Sequence, residues 1–222
     1  MKKILLPVAI IAIMASCNTA PEADKATASA KEIAAQAEGT TYLLDNKSTV
    51  NWHATKATGE HTGLFSLQNG SLAEKDGNLT GGSFVIDIAS LQNVDMAADT
   101  TNKQKLEGHL KSADFFDVAK YPTAKFEITS VAPFKYDSLT NKDVVMKDAT
   151  HTISGNLTLK DSTKNISFPA KVSIEGDKLI ANADFNIDRT QWGLNYKGPN
   201  NPADWFIRKE VNLKLNIEAT KK

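Results

Sequence analysis

From Thr41 to Ala219 apolar and polar residues take turns along the chain, and this limits it to strands with one dry face and one wet face. The clearest case is Val211, Leu213, Leu215 and Ile217, separated by Asn212, Lys214, Asn216 and Glu218. A second apolar face runs through Ile166, Phe168, Ala170, Val172 and Ile174. A third runs through Leu179, Ala181, Ala183, Phe185 and Ile187. Gly176-Asp177 between these two reads as a hairpin turn. Weaker alternation marks Val50–Trp52, Phe65–Leu67, Phe84–Ile88, Phe126–Ile128 and Ile153–Leu159, with Asn69-Gly70 and Asp76-Gly77 as further turns. These segments predict an all-β fold of about eight antiparallel strands, either closed as a barrel or packed as a sandwich. One interruption, Asp99 to Ser112, has Leu106 and Leu110 four apart with Thr100 or Thr101 as a cap. It predicts a short helix between strands that would close one end of a barrel.

The first forty residues follow other rules. Lys2 and Lys3, an apolar run from Ile4 to Ala15 and small residues before Cys17 predict a secretory signal over 1–16, too short to span a bilayer. Met14-Ala15-Ser16-Cys17 resembles the lipobox of bacterial lipoproteins, with Met14 where leucine is usual. That resemblance implies cleavage before Cys17, lipidation of its thiol with acyl chains such as palmitate, and attachment to a membrane of the cell envelope. The outer membrane is the expected site, with the domain facing the periplasm or the surface. Residues 17–40 are rich in Ala, Lys, Glu and Thr, lack aromatics, and predict a flexible linker to a domain over 41–220.

Cys17 is the single cysteine, so no disulfide is available. Loss of Lys2 and Lys3 leaves 24 basic against 26 acidic residues, which gives nucleic acid no electrostatic footing. The histidines, His53, His61, His109 and His151, lack the close spacings of metal ligands, and no metal or cofactor is expected. No G-x-S-x-G elbow occurs, and the polar residues of the strongest strands fall on the wet face. Both points argue against catalysis. Arginine is scarce. Arg189 stands where the third alternating strand ends, and reads either as a clamp for a ligand headgroup or as half of a structural ion pair. Trp192 and Trp205 read as core plugs or as part of a pocket rim.

The stretch Gly108-His109-Leu110-Lys111-Ser112-Ala113-Asp114-Phe115-Phe116-Asp117-Val118-Ala119-Lys120-Tyr121-Pro122 closely resembles the signature of the YceI-like polyisoprenoid-binding family. Ala124-Lys125-Phe126-Glu127-Ile128, Ser154 to Leu159, Ile187-Asp188-Arg189 and Trp192-Gly193-Leu194 continue the pattern in order. Asp161 to Asn165 departs from it by lacking the usual glycine turn, and Asn141 to Asp148 reads as a variable loop. The resemblance implies an extended lipocalin-like barrel of eight strands around an elongated apolar tunnel holding a long-chain isoprenoid or other amphiphile, and it implies no enzyme. Candidate lining residues are then Trp52, Phe65, Leu67, Phe84, Ile86, Phe115, Phe116 and Phe126, with Ile128, Leu157, Phe168, Val172, Phe185, Ile187, Leu213 and Leu215. Candidate headgroup residues are His109, Lys111, Asp188 and Arg189. Within the motif, Asp114 reads as a partner for turn amides, Phe115 and Phe116 as seals, and Tyr121-Pro122 as an extended lead into the next strand. About ten buried carbons would supply roughly 8 kcal/mol before ordering costs. The rival expectation is a filled barrel, stress-related and acting through its outer surface. The expected partners are a lipid ligand and the membrane at Cys17, with a homodimer as an open alternative.

Overall fold

The computed structural model describes residues 19–199 and 206–222, so Cys17, the expected signal and Trp205 lie outside the described residues. In chain order the elements are β1 (Asp24–Lys25), β2 (Thr27–Ser29), β3 (Thr40–Leu44), β4 (Thr49–Lys56), β5 (Gly59–Lys75), β6 (Asn78–Asn93), α1 (Thr100–Lys111), β7 (Thr123–Pro133), β8 (His151–Leu159), β9 (Ser162–Glu175), β10 (Lys178–Asp188) and β11 (Ile207–Lys221). Strands β5 to β11 pair in sequence, each antiparallel to the next, and β4 joins β11 back to β5. The result is a closed eight-stranded barrel, and each of the eight alternating segments supplies one stave. Closure removes every long free edge, which an open sandwich would leave.

Two local expectations fail. Asn69-Gly70 does not turn the chain but lies inside β5, at a register shift against β6. The bulge places Gly70 where an added Cβ would meet Phe84 Cβ at 2.6 Å, so the glycine serves close packing. The cap of α1 is Asp99, whose carboxylate accepts the Asn102 amide, rather than either threonine. Ser112 ends the helix by donating to the His109 carbonyl. The turn after β8 manages without glycine because Lys160 takes a φ of 55°.

The helix, the β8–β9 turn and the segment from Arg189 to Pro199 stand at one end, called the top. The β5–β6 and β9–β10 hairpins stand at the base, where β3 fills the place β4 vacates between β5 and β11. The inward side chains of all eight staves form one core cluster.

The largest departure from expectation is in residues 19–39. Strands β9 and β10 pair only near the base, from Lys171–Glu175 to Lys178–Asn182, and part above. The seam is filled by the segment read as a flexible linker. There β1 lies parallel to β10 at Phe185 and Asn186, and β2 lies antiparallel to β9 at Asn165 to Ser167. The strap then crosses the outside of β8, β7 and β6. Asn156 on β8 donates to the Glu32 carbonyl and accepts the Glu32 amide, at 2.7 and 3.0 Å. Ala35 donates to the Ile128 carbonyl, and Thr80 exchanges hydrogen bonds with Glu38. Near its start, Asn186 donates to the Pro21 carbonyl, and the Asp24 carboxylate accepts the amides of Val145 and Met146. Composition misleads here because the strap is held by hydrogen bonds rather than by apolar burial of its own. The same contacts explain why the outward-facing Asn156, Asn165 and Asn186 are buried rather than wet.

Candidate functional site

The barrel interior is not one tunnel. Under α1 at the top lies an apolar cavity of about 120 Å³, and toward the base lies a second of about 40 Å³. Between them four phenylalanine rings form a belt. Phe84 and Phe126 have ring centroids 5.3 Å apart, Phe126 and Phe168 5.9 Å, and Phe168 and Phe185 are stacked at 4.0 Å. Inward glycines make room for such large rings. A Cβ on Gly155 would come within 2.2 Å of Phe126 Cζ, and one on Gly63 within 2.4 Å of the Trp52 ring.

The expected lining residues divide accordingly. Trp52 on β4, Phe65 on β5, Ile86 on β6 and Leu157 on β8 wall the upper cavity. Ile187 and Leu213 face them, and Phe115 and Phe116 descend from the turn after α1. Phe84, Phe126, Ile128, Phe168 and Leu215 line the lower cavity instead. Leu67, Val172 and Phe185 line neither; Phe185 belongs to the belt and Val172 to the packed core. The elongated tunnel was what the family resemblance implied; continuous inward alternation itself reads the same whether rings line a void or block it. Sequence reasoning missed Leu110, Val211 and Leu194, which also bound the upper cavity. The spacing of Leu106 and Leu110 was the available signal for the first.

The lid over this cavity is lightly held. No residue of α1 is fully buried. Its main polar tie is Glu107 Oε1, which accepts the Asn93 amide at 2.7 Å. Phe116 meets Phe65 edge-on at 5.6 Å. His109 pairs with Asp114 at 3.0 Å and packs edge-on against Phe115 and Tyr196, so it pins the lid to the top loop. Asp114 therefore serves a histidine, not turn amides. Trp192 is a plug, fully buried with its Nε1 donating to the Leu157 carbonyl.

The proposed headgroup residues do not converge. Arg189 is buried at the cavity roof, and among the described residues it pairs with no carboxylate. Its guanidinium donates to four main-chain carbonyls, those of Arg208, Leu194, Tyr196 and Ile207. Both expected readings of Arg189 thus give way to a third, a staple between the top loop and β11. Burial pushes its pKa down, while the nearby Asp188 charge works the other way. Asp188 faces outward, accepting from the Thr190 amide and hydroxyl and from Lys209. Burial would raise its carboxyl, but these hydrogen bonds and the Lys209 charge hold it below the usual range. Lys111 is half-buried at the end of the helix. His53 and His61 pair with Glu60 and Asp95 on the outer surface, at 2.9 Å each. Among the described residues the cavity is lined by hydrocarbon side chains with Arg189 at its roof, a wall able to bury an apolar group.

Comparison with known proteins supplies a context. The family model described as the YceI-like domain matches residues 42–219. A UPF0312 protein of Pseudomonas putida is 28% identical over 199 residues, covering 85% of this chain and 90% of its own. Protein YceI of Salmonella arizonae is 34% identical over 122 residues, or 53% of this chain and 55% of its own. Among solved structures, Burkholderia cenocepacia BcnA superposes with a TM-score of 0.59 at 20% identity, over 80% of this chain and 99% of that one. A polyisoprenoid binding domain from Saccharophagus degradans, implicated in plant cell wall breakdown, gives 0.58 at 16% identity, over 83% and 100%. At these identities the two structures share the barrel fold with this chain.

Proposed function

The chain belongs to the YceI-like family, and on that premise we propose that it binds the hydrocarbon part of an isoprenoid or similar amphiphile inside its barrel. The observation that carries this reading is the upper cavity. It is walled by aromatic and aliphatic side chains and roofed by a light lid, and among the described residues no acid, base or nucleophile converges on it. At about 120 Å³ it is close to the engineered cavity of roughly 150 Å³ that takes benzene, so at rest it holds about one isoprene unit. A longer chain would enter by moving α1 with Phe115 and Phe116, whose attachments are few. The ligand's polar end would stay outside, since Arg189 is committed to carbonyls. We further propose that Cys17 carries lipid and holds the barrel at a membrane of the bacterial envelope, where such ligands reside.

Native mass spectrometry of the protein from its own envelope, and of the purified protein incubated with farnesol, tests the reading. A stoichiometric adduct supports it. Apo mass alone in both samples, with no change in tryptophan emission from Trp52, would sink it and favour a filled barrel that acts through its surface. The small resting volume is the observation on that rival's side. Cys17→Ala should release the protein into the soluble fraction with farnesol uptake intact.

A further inference from the structure

We propose that the phenylalanine belt is a stop that sets the length of hydrocarbon the barrel accepts; this rests on the lipid-binding reading above. The rings of Phe84, Phe126, Phe168 and Phe185 are 5, 4, 3 and 1% exposed; the first three line the lower cavity and none lines the upper one. Three of the four are held by identifiable neighbours. Phe126 occupies the space that a side chain on Gly155 would need. Phe168 and Phe185 lie nearly parallel, 13° apart, across the seam where β9 and β10 have parted. The main chain of Phe185 is further tied by the strap, which pairs Asp24 with it. Close-packed aromatic rings of this kind do not yield singly, because moving one forces its neighbours off their rotamers.

The geometry gives the permitted length. Arg189 at the roof stands one residue past the end of β10 and follows Phe185 in the belt by four, a path along the stave of roughly 13 Å. An extended chain advances about 3.4 Å over three bonds, so roughly eleven or twelve chain atoms fill that depth. The ligand class this selects is a short prenyl or medium acyl chain of about ten to twelve carbons in its main chain, not a polyprenyl chain threaded through the whole barrel. Farnesyl groups, with a twelve-carbon main chain, match the limit. The lower cavity, narrowed to about 40 Å³ and lined partly by Ala170, Ala181 and Ala183, would become usable only when the belt is opened.

The test is an affinity series with prenyl alcohols of two, three, four and nine isoprene units, read by competition and by native mass spectrometry. In the wild type, affinity should climb by on the order of fourfold per added buried carbon up to farnesol, then level off. Phe168→Leu should move the plateau to the four-unit alcohol, and adding Ala181→Leu below the belt should move it back. Affinity that keeps climbing through nine units in the wild type would overturn the stop while leaving lipid binding in place. Failure of every alcohol to bind would overturn the lipid-binding reading itself. The wild-type series decides between these without any variant; a thermal melt establishes that each variant is folded.

Discussion

The two halves of the barrel interior are built from the same alternating strands and end up different in kind. Below the belt, β3 completes the wall, the β9–β10 pairing is intact, and inward residues such as Leu179 and Ala219 are fully buried. Above it the seam has opened, the strap closes it from outside, and a light helix replaces a packed floor. The lower half is held by packing. The upper half is held by polar staples around a void. The lesson is that a barrel can be rigid and accommodating at once if stability and ligand capacity are assigned to opposite ends.

This contrast can be broken by substitution. Phe168→Ala should cost about 4 kcal/mol in denaturant unfolding, since it removes a buried ring from the belt; a cost below 1 kcal/mol would mean the belt is loose. Leu179→Ala in the base should cost about 3 kcal/mol, whereas Leu110→Ala on the lid should cost about 1 kcal/mol because Leu110 is only half-buried. Equal costs would erase the distinction between the two ends. Asn156→Ala removes both hydrogen bonds to Glu32 and should cost about 2 kcal/mol, with faster amide exchange confined to the strap near Glu32. Exchange that spread to the base would show the strap to be part of the main cooperative unit.

The smallest effect is expected from acid. Hydrogen bonds from the Thr62 amide, His61 and Asn93 hold the Asp95 carboxyl below its ordinary value against the opposing effect of burial, as those at Asp188 do. Both groups lie at the top. A carboxyl depressed in the fold stabilises above its unfolded pKa near 4, and that stability is lost as pH falls through the lower folded value. Between pH 5 and 3, amides near Thr62 and Thr190 should begin to exchange faster before those at the β5–β6 hairpin of the base. Simultaneous loosening of both ends would remove these two aspartates from the account.

How much of this could be read beforehand follows from what alternation encodes. The eight staves were legible because a strand's inward residues fall at every second position whatever their neighbours do. The division of the interior was not, because Phe126 has the same sequence signature as wall or as plug; the clue lay in Gly155 and Gly63, inward positions with no side chain. The strap was illegible for a different reason. Residues 19–39 bury little of themselves, and their order is dictated from outside by Asn156, Asn186 and Thr80. Arg189 was singled out by rarity, but its partners are carbonyls of β11 and of a loop whose path no residue pattern announces.

The strap also shortens a leash. A flexible stalk from Cys17 to Thr40 would let the barrel wander over tens of ångströms, but the Pro21 carbonyl is already fastened to Asn186 on the flank of β10. It lies four positions after Cys17, a reach of about 14 Å at full extension. With Cys17 lipidated as proposed, the barrel would swivel about a pivot beside the β9–β10 seam, and its flank, not its mouth, would ride closest to the bilayer.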